Sequence, residues 1–241
     1  MKIPKRLKRN PIVDAVAEVQ FTSSLPSEVI LGLVYEKVKD KFGQPKNLPI
    51  VQLPSAMREK DPILKYQACY RFDKPGNVLL VGPHNVALST TPYTDWDAAK
   101  PLLSEILDKF DKLQLFSSIE RIGLRYVNFF EKLNIFEYLT LSLEVNKRSI
   151  ASRSIVLRTE DKVDGFTVIT NVSNAANTVI AGETKEGSLL DLDIIRKQPE
   201  IQKGAVPQKL LELFTEANKL ADDAFFGLLK EEFLSRFEPE Y

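Results

Sequence analysis

The sequence predicts an α+β protein of two lobes. Each is an antiparallel sheet with helices, either separate or sharing one continuous sheet, and a long C-terminal amphipathic helix closes the chain. Runs of apolar/polar alternation mark strands, and stretches with apolar residues at helical spacing fall between them. The order helix, β-rich run, helix occurs in residues 1–131 and again, loosely, in residues 132–241, which sets the two lobes.

"PIVDAVAEVQF", residues 11–21, puts Val13, Ala15, Ala17, Val19 and Phe21 on one face of a strand. Asp14, Glu18 and Gln20, with Ile12 and Val16, fall on the other. "SSLPSEVILGLVYEKVKDKFG" follows as a helix capped by Ser24, with Pro26 in its first turn and Gly43 at its end. From residue 48 to 91, "LPIVQLPSA", "ILKYQACYRF", "NVLLVG" and "NVALSTT" read as a strand meander, with "DKPGN" as a turn. "TDWDAAKPLLSEILDKFDKL" is a helix capped by Thr94 or Asp95, which Pro101 either kinks or divides. "SSIERIGLRYVNFF" is the next strand.

In the second half a helical turn at "NIFEYL" precedes strands at "SRSIVLRTE", "GFTVITNVS" and "GSLLDLDIIRK". The polar stretch at residues 171–187 reads as a mobile recognition loop or an idle insertion. A last helix from about Pro207 to Phe237 carries Leu210, Leu213, Phe214, Ala217, Ala221 and Phe225 on one side. Thirty helical residues extend roughly 45 Å, more than one lobe needs. The helix therefore spans both lobes, breaks near Gly227, or offers its tail to a protein partner or a second copy.

Composition narrows the classes. The 241 residues are 44% hydrophobic and 27% charged, with a mean hydropathy of −0.16, as in ordinary globular proteins. Lys plus Arg and Asp plus Glu number 33 each, which argues against binding nucleic acid through its phosphates. Lys2, Lys5, Arg6, Lys8 and Arg9 then read as a solvated tail rather than a nucleic-acid arm. The single cysteine, Cys69, allows neither an internal disulfide nor a Cys-rich zinc site. With no secretory h-region and no apolar run of membrane-spanning length, the expected location is the cytoplasm, without membrane contact.

The charged positions give the candidate site. On "SSIERIGLRYVNFF" the parity of a strand places Ile119, Arg121, Gly123, Arg125 and Val127 on one face and Ile122, Leu124, Tyr126 and Phe130 on the other. "LLDLDIIRK" places Asp191 and Asp193 together, and Asp14 and Glu18 lie opposite the apolar face of the first strand. If these strands are neighbours, Arg121 and Arg125 pair with Asp14, Glu18, Asp191 or Asp193 and hold a polar sheet face together. The same residues are the candidates for binding an anion or a partner. His84, the only histidine, reads as a turn residue, and Tyr93 and Trp96 as anchors of a helix start or a stacking platform.

Three stretches together resemble a sporadically distributed prokaryotic family of about this length whose molecular activity is largely uncharacterised. "PIVDAVAE" matches its Pro-Ile-Val-acid-Ala-Val-x-Glu opening. "YTDW" and "RIGLRYVN" match a Tyr-x-x-Trp helix start and an Arg-x-Gly-Leu-Arg-Tyr-x-Asn strand. Leu210, Ala217, Asn218 and Phe225 keep the spacing of its closing helix, where Phe214 stands near a position that is often His in the family. The resemblance implies a horizontally transferred gene of phage-defence or toxin–antitoxin type.

The expected function is a non-enzymatic binding or regulatory protein, without a cofactor, that recognises a protein or anionic partner through the sheet face or the last helix. The alternative is a metal-dependent enzyme acting on a phosphorylated small molecule or nucleotide, with surplus carboxylates holding Mg²⁺. Triphosphate-tunnel enzymes show such alternating charge but carry Glu-x-Glu-x-Lys, whereas "EVQF" stops at Gln20. Single-stranded nucleic-acid binding through the sheet is a third, weaker reading that the charge balance opposes.

Overall fold

Alternating polarity at residues 12–22 and 118–131 yields the two long strands at the centre of the molecule, β2 (Ile12–Thr22) and β7 (Ser118–Glu131). The computed structural model describes residues 3–241 apart from Ala181 and Lys203. The other strands are β1 (Arg6–Leu7), β3 (Lys46–Asn47), β4 (Tyr70–Lys74), β5 (Asn77–Val81) and β6 (Asn85–Thr90) in the first half. β8 (Glu144–Val145), β9 (Arg148–Ser149), β10 (Val156–Val163), β11 (Phe166–Ile180), β12 (Glu183–Lys197) and β13 (Pro239–Glu240) follow. Nine of them form one antiparallel sheet in the order β10-β11-β12-β7-β2-β6-β5-β4-β3, while β1 pairs with β13 and β8 with β9.

β7 joins the halves. One edge pairs with β2, and the other pairs with β12 from Lys197↔Arg121 to Gly187↔Glu131. The sheet is therefore continuous across residue 131, over one hydrophobic core. Its apolar face carries Ala17, Val19 and Phe21, Ile122 and Leu124, Leu190, Leu192 and Ile194, all buried. Against it pack α1 (Ser27–Val38), α3 (Trp96–Lys112) and α4 (Val206–Leu228), which bury their apolar stripes, with Phe214 in the core. Two short helices, α2 (Ser55–Lys60) and α5 (Glu231–Leu234), complete the fold. Among the described residues no helix is long and apolar enough to cross a membrane.

Several elements differ from the expectation, each for a local reason. α1 starts at Ser27 because Pro26, still extended at ψ 139°, occupies its N-cap; Ser24 does not cap it. "LPIVQLPSA" is a 3-10 turn at Pro49–Gln52 followed by α2, not a strand, since Pro49 and Pro54 each open a turn with their fixed φ. In "ILKYQACYRF", Asp61 accepts from the Ile63 and Leu64 amides and starts a 3-10 turn, so β4 begins only at Tyr70. At residues 171–187 the expected loop is an extended β11–β12 hairpin, paired from Ala176↔Gly187 to Ile180↔Glu183 beyond a register shift. Asp95, not Thr94, caps α3 by accepting from the Ala98 amide at 2.8 Å, and Pro101 lies inside one continuous helix.

The last helix does not run to Phe237. It stops at Leu228, where Thr140 donates its amide to the Leu228 carbonyl at 2.8 Å and Leu229 bridges to Leu139. The chain then turns through α5, where Phe233 stacks on Tyr138 at 4.4 Å, and returns as β13 to pair with β1. The basic N-terminus is thus not a solvated tail. Arg6 and Lys8 pair with Glu240, and Arg9 with Glu238, while Pro4 and Leu7 are buried. Lys2 lies outside the described residues.

Close approach at the seam yields a test. A Cβ at Gly187 would sit 2.2 Å from the Phe130 carbonyl oxygen, so Gly187→Ala must push β12 off β7. Gly32, inside α1, has nothing within 4 Å of such a Cβ. In urea titration Gly187→Ala is expected to lose about 2 kcal/mol or more, as strained sites do. Gly32→Ala should instead gain about 0.5–1 kcal/mol from helix propensity.

Candidate functional site

The predicted charges do meet on the polar sheet face. Arg125 grips Asp191 through two hydrogen bonds, Nε to Oδ1 at 2.8 Å and Nη2 to Oδ2 at 2.9 Å. Arg121 bonds Glu18 and lies 3.5 Å from Asp193. Asp14 stands apart from the arginines and accepts instead from Ser89 at 2.6 Å. The space over Gly123 is taken by the Arg121 guanidinium, within 3.2 Å of a would-be Cβ, rather than left open for a ligand. Glu18 is further held by Asn85 at 3.1 Å and Gln20 at 3.2 Å. Burial raises the Asp193 carboxyl above the ordinary range, and Arg121 and Arg125 pull it back. Both arginines are thus committed to the protein's own acids. Among the described residues no three His, Cys, Asp or Glu gather as metal ligands.

Two irregularities bound this face. β2 and β7 shift register between Gln20 and Phe21, so Ile119 pairs with Phe21 and turns into the core, against its parity in the sequence. A second shift, between Ile12 and Asp14, places Ile12 opposite Asn128 on the helix side of the sheet. There a cavity of about 80 Å³ opens beneath the N-terminal strap, residues 4–10.

Five segments wall the cavity: the strap and start of β2, the turn into α3, the end of β7, Leu192 of β12, and one side of α4. A hydrogen-bond chain runs along it. Tyr93 and Tyr126 join through their hydroxyls at 3.1 Å, Tyr126 donates to Asn218 Oδ1 at 2.7 Å, and Asn218 Nδ2 donates to Asp222 at 3.0 Å. Because the Tyr126 proton is committed to Asn218, Tyr93 is the donor to Tyr126. Asn128 donates Nδ2 to the Leu190 carbonyl at 3.0 Å, while its Oδ1 is buried without a partner. Trp96 Nε1, also lining the cavity, is a buried donor without a partner. The strap is anchored nearby, where Asn10 donates to the Thr94 carbonyl at 3.0 Å.

The electrostatics follow from enclosure. Burial, aided by Asp223, pushes the Asp222 carboxyl up to about 6, and the Asn218 hydrogen bond opposes this. Burial also drives the phenols of Tyr93 and Tyr126 up, so both remain proton donors at neutral pH. Asp222 makes no ion pair among the described residues.

His84 bonds Glu59 at 2.9 Å at the other end of β2 and takes no part here. Tyr93 and Trp96, weighed in the sequence as anchors, are walls of the cavity. Sequence reasoning assigns no site role to Asn128, Asn218 or Asp222. Their signal was present: Tyr126 and Asn128 are polar residues on the apolar face of β7, and Asn218 and Asp222 flank the apolar stripe of α4 four residues apart. Ile12, Tyr93, Trp96, Tyr126, Asn128, Asn218 and Phe225, drawn from all the stretches that carry the resemblance, line this one cavity. No protein-family model and no curated protein matches the chain.

Two outcomes test these electrostatics. Arg121 and its partners Glu18 and Asp193 are about one-fifth exposed, whereas the Arg125 side chain is 52% exposed. Arg121→Ala is therefore expected to cost roughly 2–4 kcal/mol in urea titration, by stranding two half-buried carboxylates, and Arg125→Ala about 1 kcal/mol. For Asp222, the folded chain keeps a proton that the unfolded chain has lost between about pH 4 and 6. Stability should fall as pH rises through that window and then level off. Asp222→Asn should abolish this slope and raise stability above pH 6 by about 1–3 kcal/mol, read from melting curves across pH.

Proposed function

We propose that the protein is a non-enzymatic receptor that binds a small polar group in the cavity beneath its N-terminal strap. The observation that carries this reading is a pair of buried, unpartnered atoms on residues that line it, the acceptor Asn128 Oδ1 and the donor Trp96 Nε1. Buried polar groups lacking partners cost about 1–3 kcal/mol each, and a ligand that supplies both partners recovers that energy on binding. A mostly apolar concavity with a few convergent polar groups is the usual form of a ligand site.

The chemistry of the walls supports binding over catalysis. The phenols are held protonated, the Asp222 carboxyl is held by an amide rather than by a base or nucleophile, and Asp95 is engaged in capping α3. The polar sheet face is a weaker candidate for an anionic partner, because its arginines are already occupied by carboxylates. In the defence-type setting that the resemblance implies, such a protein acts as sensor or adaptor rather than effector.

Trp96 is the only tryptophan and lines this cavity and a smaller apolar one beside it, so its emission comes from this region alone. Titrating the protein with a panel of small alcohols, amides, carboxylic acids and amines should give a saturable change with at least one class. Ala221→Leu, which fills the cavity from α4, should abolish that change while the protein still melts cooperatively. No saturable change with any class would overturn the reading.

A further inference from the structure

Resting on that reading, we infer that the group the cavity takes is a small cation rich in N–H donors, an ammonium or guanidinium, held by the Asp222 carboxylate and the Asn128 carbonyl. The walls leave more acceptors free than donors. Asn128 must present its Nδ2 to the Leu190 carbonyl, since that oxygen can only accept, so Oδ1 is left without a partner in a residue only 1% exposed. Asn218 is fixed the same way, its Nδ2 on Asp222 and its Oδ1 receiving Tyr126. All protons of the chain therefore run from Tyr93 toward Asp222. Lone pairs on the Tyr93 oxygen and the second Asp222 oxygen remain free, against Trp96 Nε1 as the one buried donor without a partner on these walls, the strap cations Lys5 and Arg6 being exposed.

Charge selects in the same direction. Asp222 has no cation of its own among the described residues. Beside it lies Asp223 on α4; around the cavity are Asp95 and Asp97 at the start of α3 and, on the strap, Arg6, which is spent on Glu240, and Lys5, which is exposed to solvent. A carboxylate or phosphate ligand would face Asp222 and Asp95, whereas a neutral apolar one would leave every free acceptor unsatisfied. A cation with two or more N–H groups meets both needs, and an oxygen beside its nitrogen would receive the Trp96 N–H. The room is about 80 Å³, against roughly 150 Å³ for a cavity that admits benzene, which limits the ligand to a few heavy atoms or the tip of a longer chain.

Trp96 emission tests this with ethylamine, ethylguanidine and ethanolamine as cations, and with ethanol, acetamide and acetate as uncharged and anionic counterparts. The cations are expected to give saturable binding near pH 8. Asp222→Asn should weaken it at least about tenfold, and so should lowering the pH of the native protein to near 5, where Asp222 takes up its proton. The pH arm decides if the variant does not melt cooperatively. Arms with short lysine and arginine peptides separate a free amine from a side-chain tip as the source of the cation, and saturable binding in either supports the inference. Equal affinity for ethanol or acetate, or amine binding untouched by Asp222→Asn and by pH, overturns the cation and leaves the cavity a receptor for another class. Silence from every compound in both experiments removes the receptor reading as well.

Discussion

The whole molecule depends on β7 being paired on both edges at once. β2 lies along one edge and β12 along the other, so every side chain of this strand must satisfy a neighbour on each side. On the helix face that neighbour is apolar, and Ile122 and Leu124 meet it at almost no exposure. On the other face Glu18 comes from one partner strand and Asp191 and Asp193 from the other, with Arg121 and Arg125 between them. The arginines are the response of a central strand to acids on both flanks. A planar guanidinium suits the position because it can hold carboxylates from two directions.

Register shifts decide where this face ends. Near Glu120 the shift turns Ile119 inward to pack with Phe21, closing the charged strip at one end. Near Val13 the second shift carries Ile12 to the helix side, where it becomes a wall of the cavity. An inserted residue flips the side chains beyond it to the other face of the sheet. One device therefore both trims the ion-paired strip and opens the pocket behind it.

Much of this was legible because strands write their period directly. The alternation at β2, β7 and β12 gave both faces in the middle of the sheet, but not which strands are neighbours or which of the four acids each arginine takes; Asp14, offered as a partner, pairs with neither. It failed where the deciding partner was distant or local geometry overrode composition. Pro49 and Pro54 made turns of a stretch that read as strand. Gly227 marked one of three possible fates of the last helix, a break, and it is Thr140, 88 residues away, whose bond to the Leu228 carbonyl accompanies the break there. The cavity was harder still, since Tyr126 and Asn218 meet across 92 residues of chain. Only polar residues on otherwise apolar faces hinted that they belonged together.

Those polar residues are not what a chain selected for stability alone would keep there. Apolar side chains of similar volume at Asn128 and Asp222 would remove an unsatisfied carbonyl and an uncompensated carboxyl from the interior, and such replacements are often neutral or stabilising. The strap above them is held by a two-residue strand pair, the Asn10–Thr94 hydrogen bond, the buried Pro4 and Leu7, and exposed ion pairs that individually contribute little. It is thus among the segments best suited to open without unfolding the sheet. A cavity that retains unmet acceptors beneath a weakly held cover combines an energetic cost with a route of access. Both are what the proposed ligand would draw on, since it would enter beside the strap and supply the missing partners.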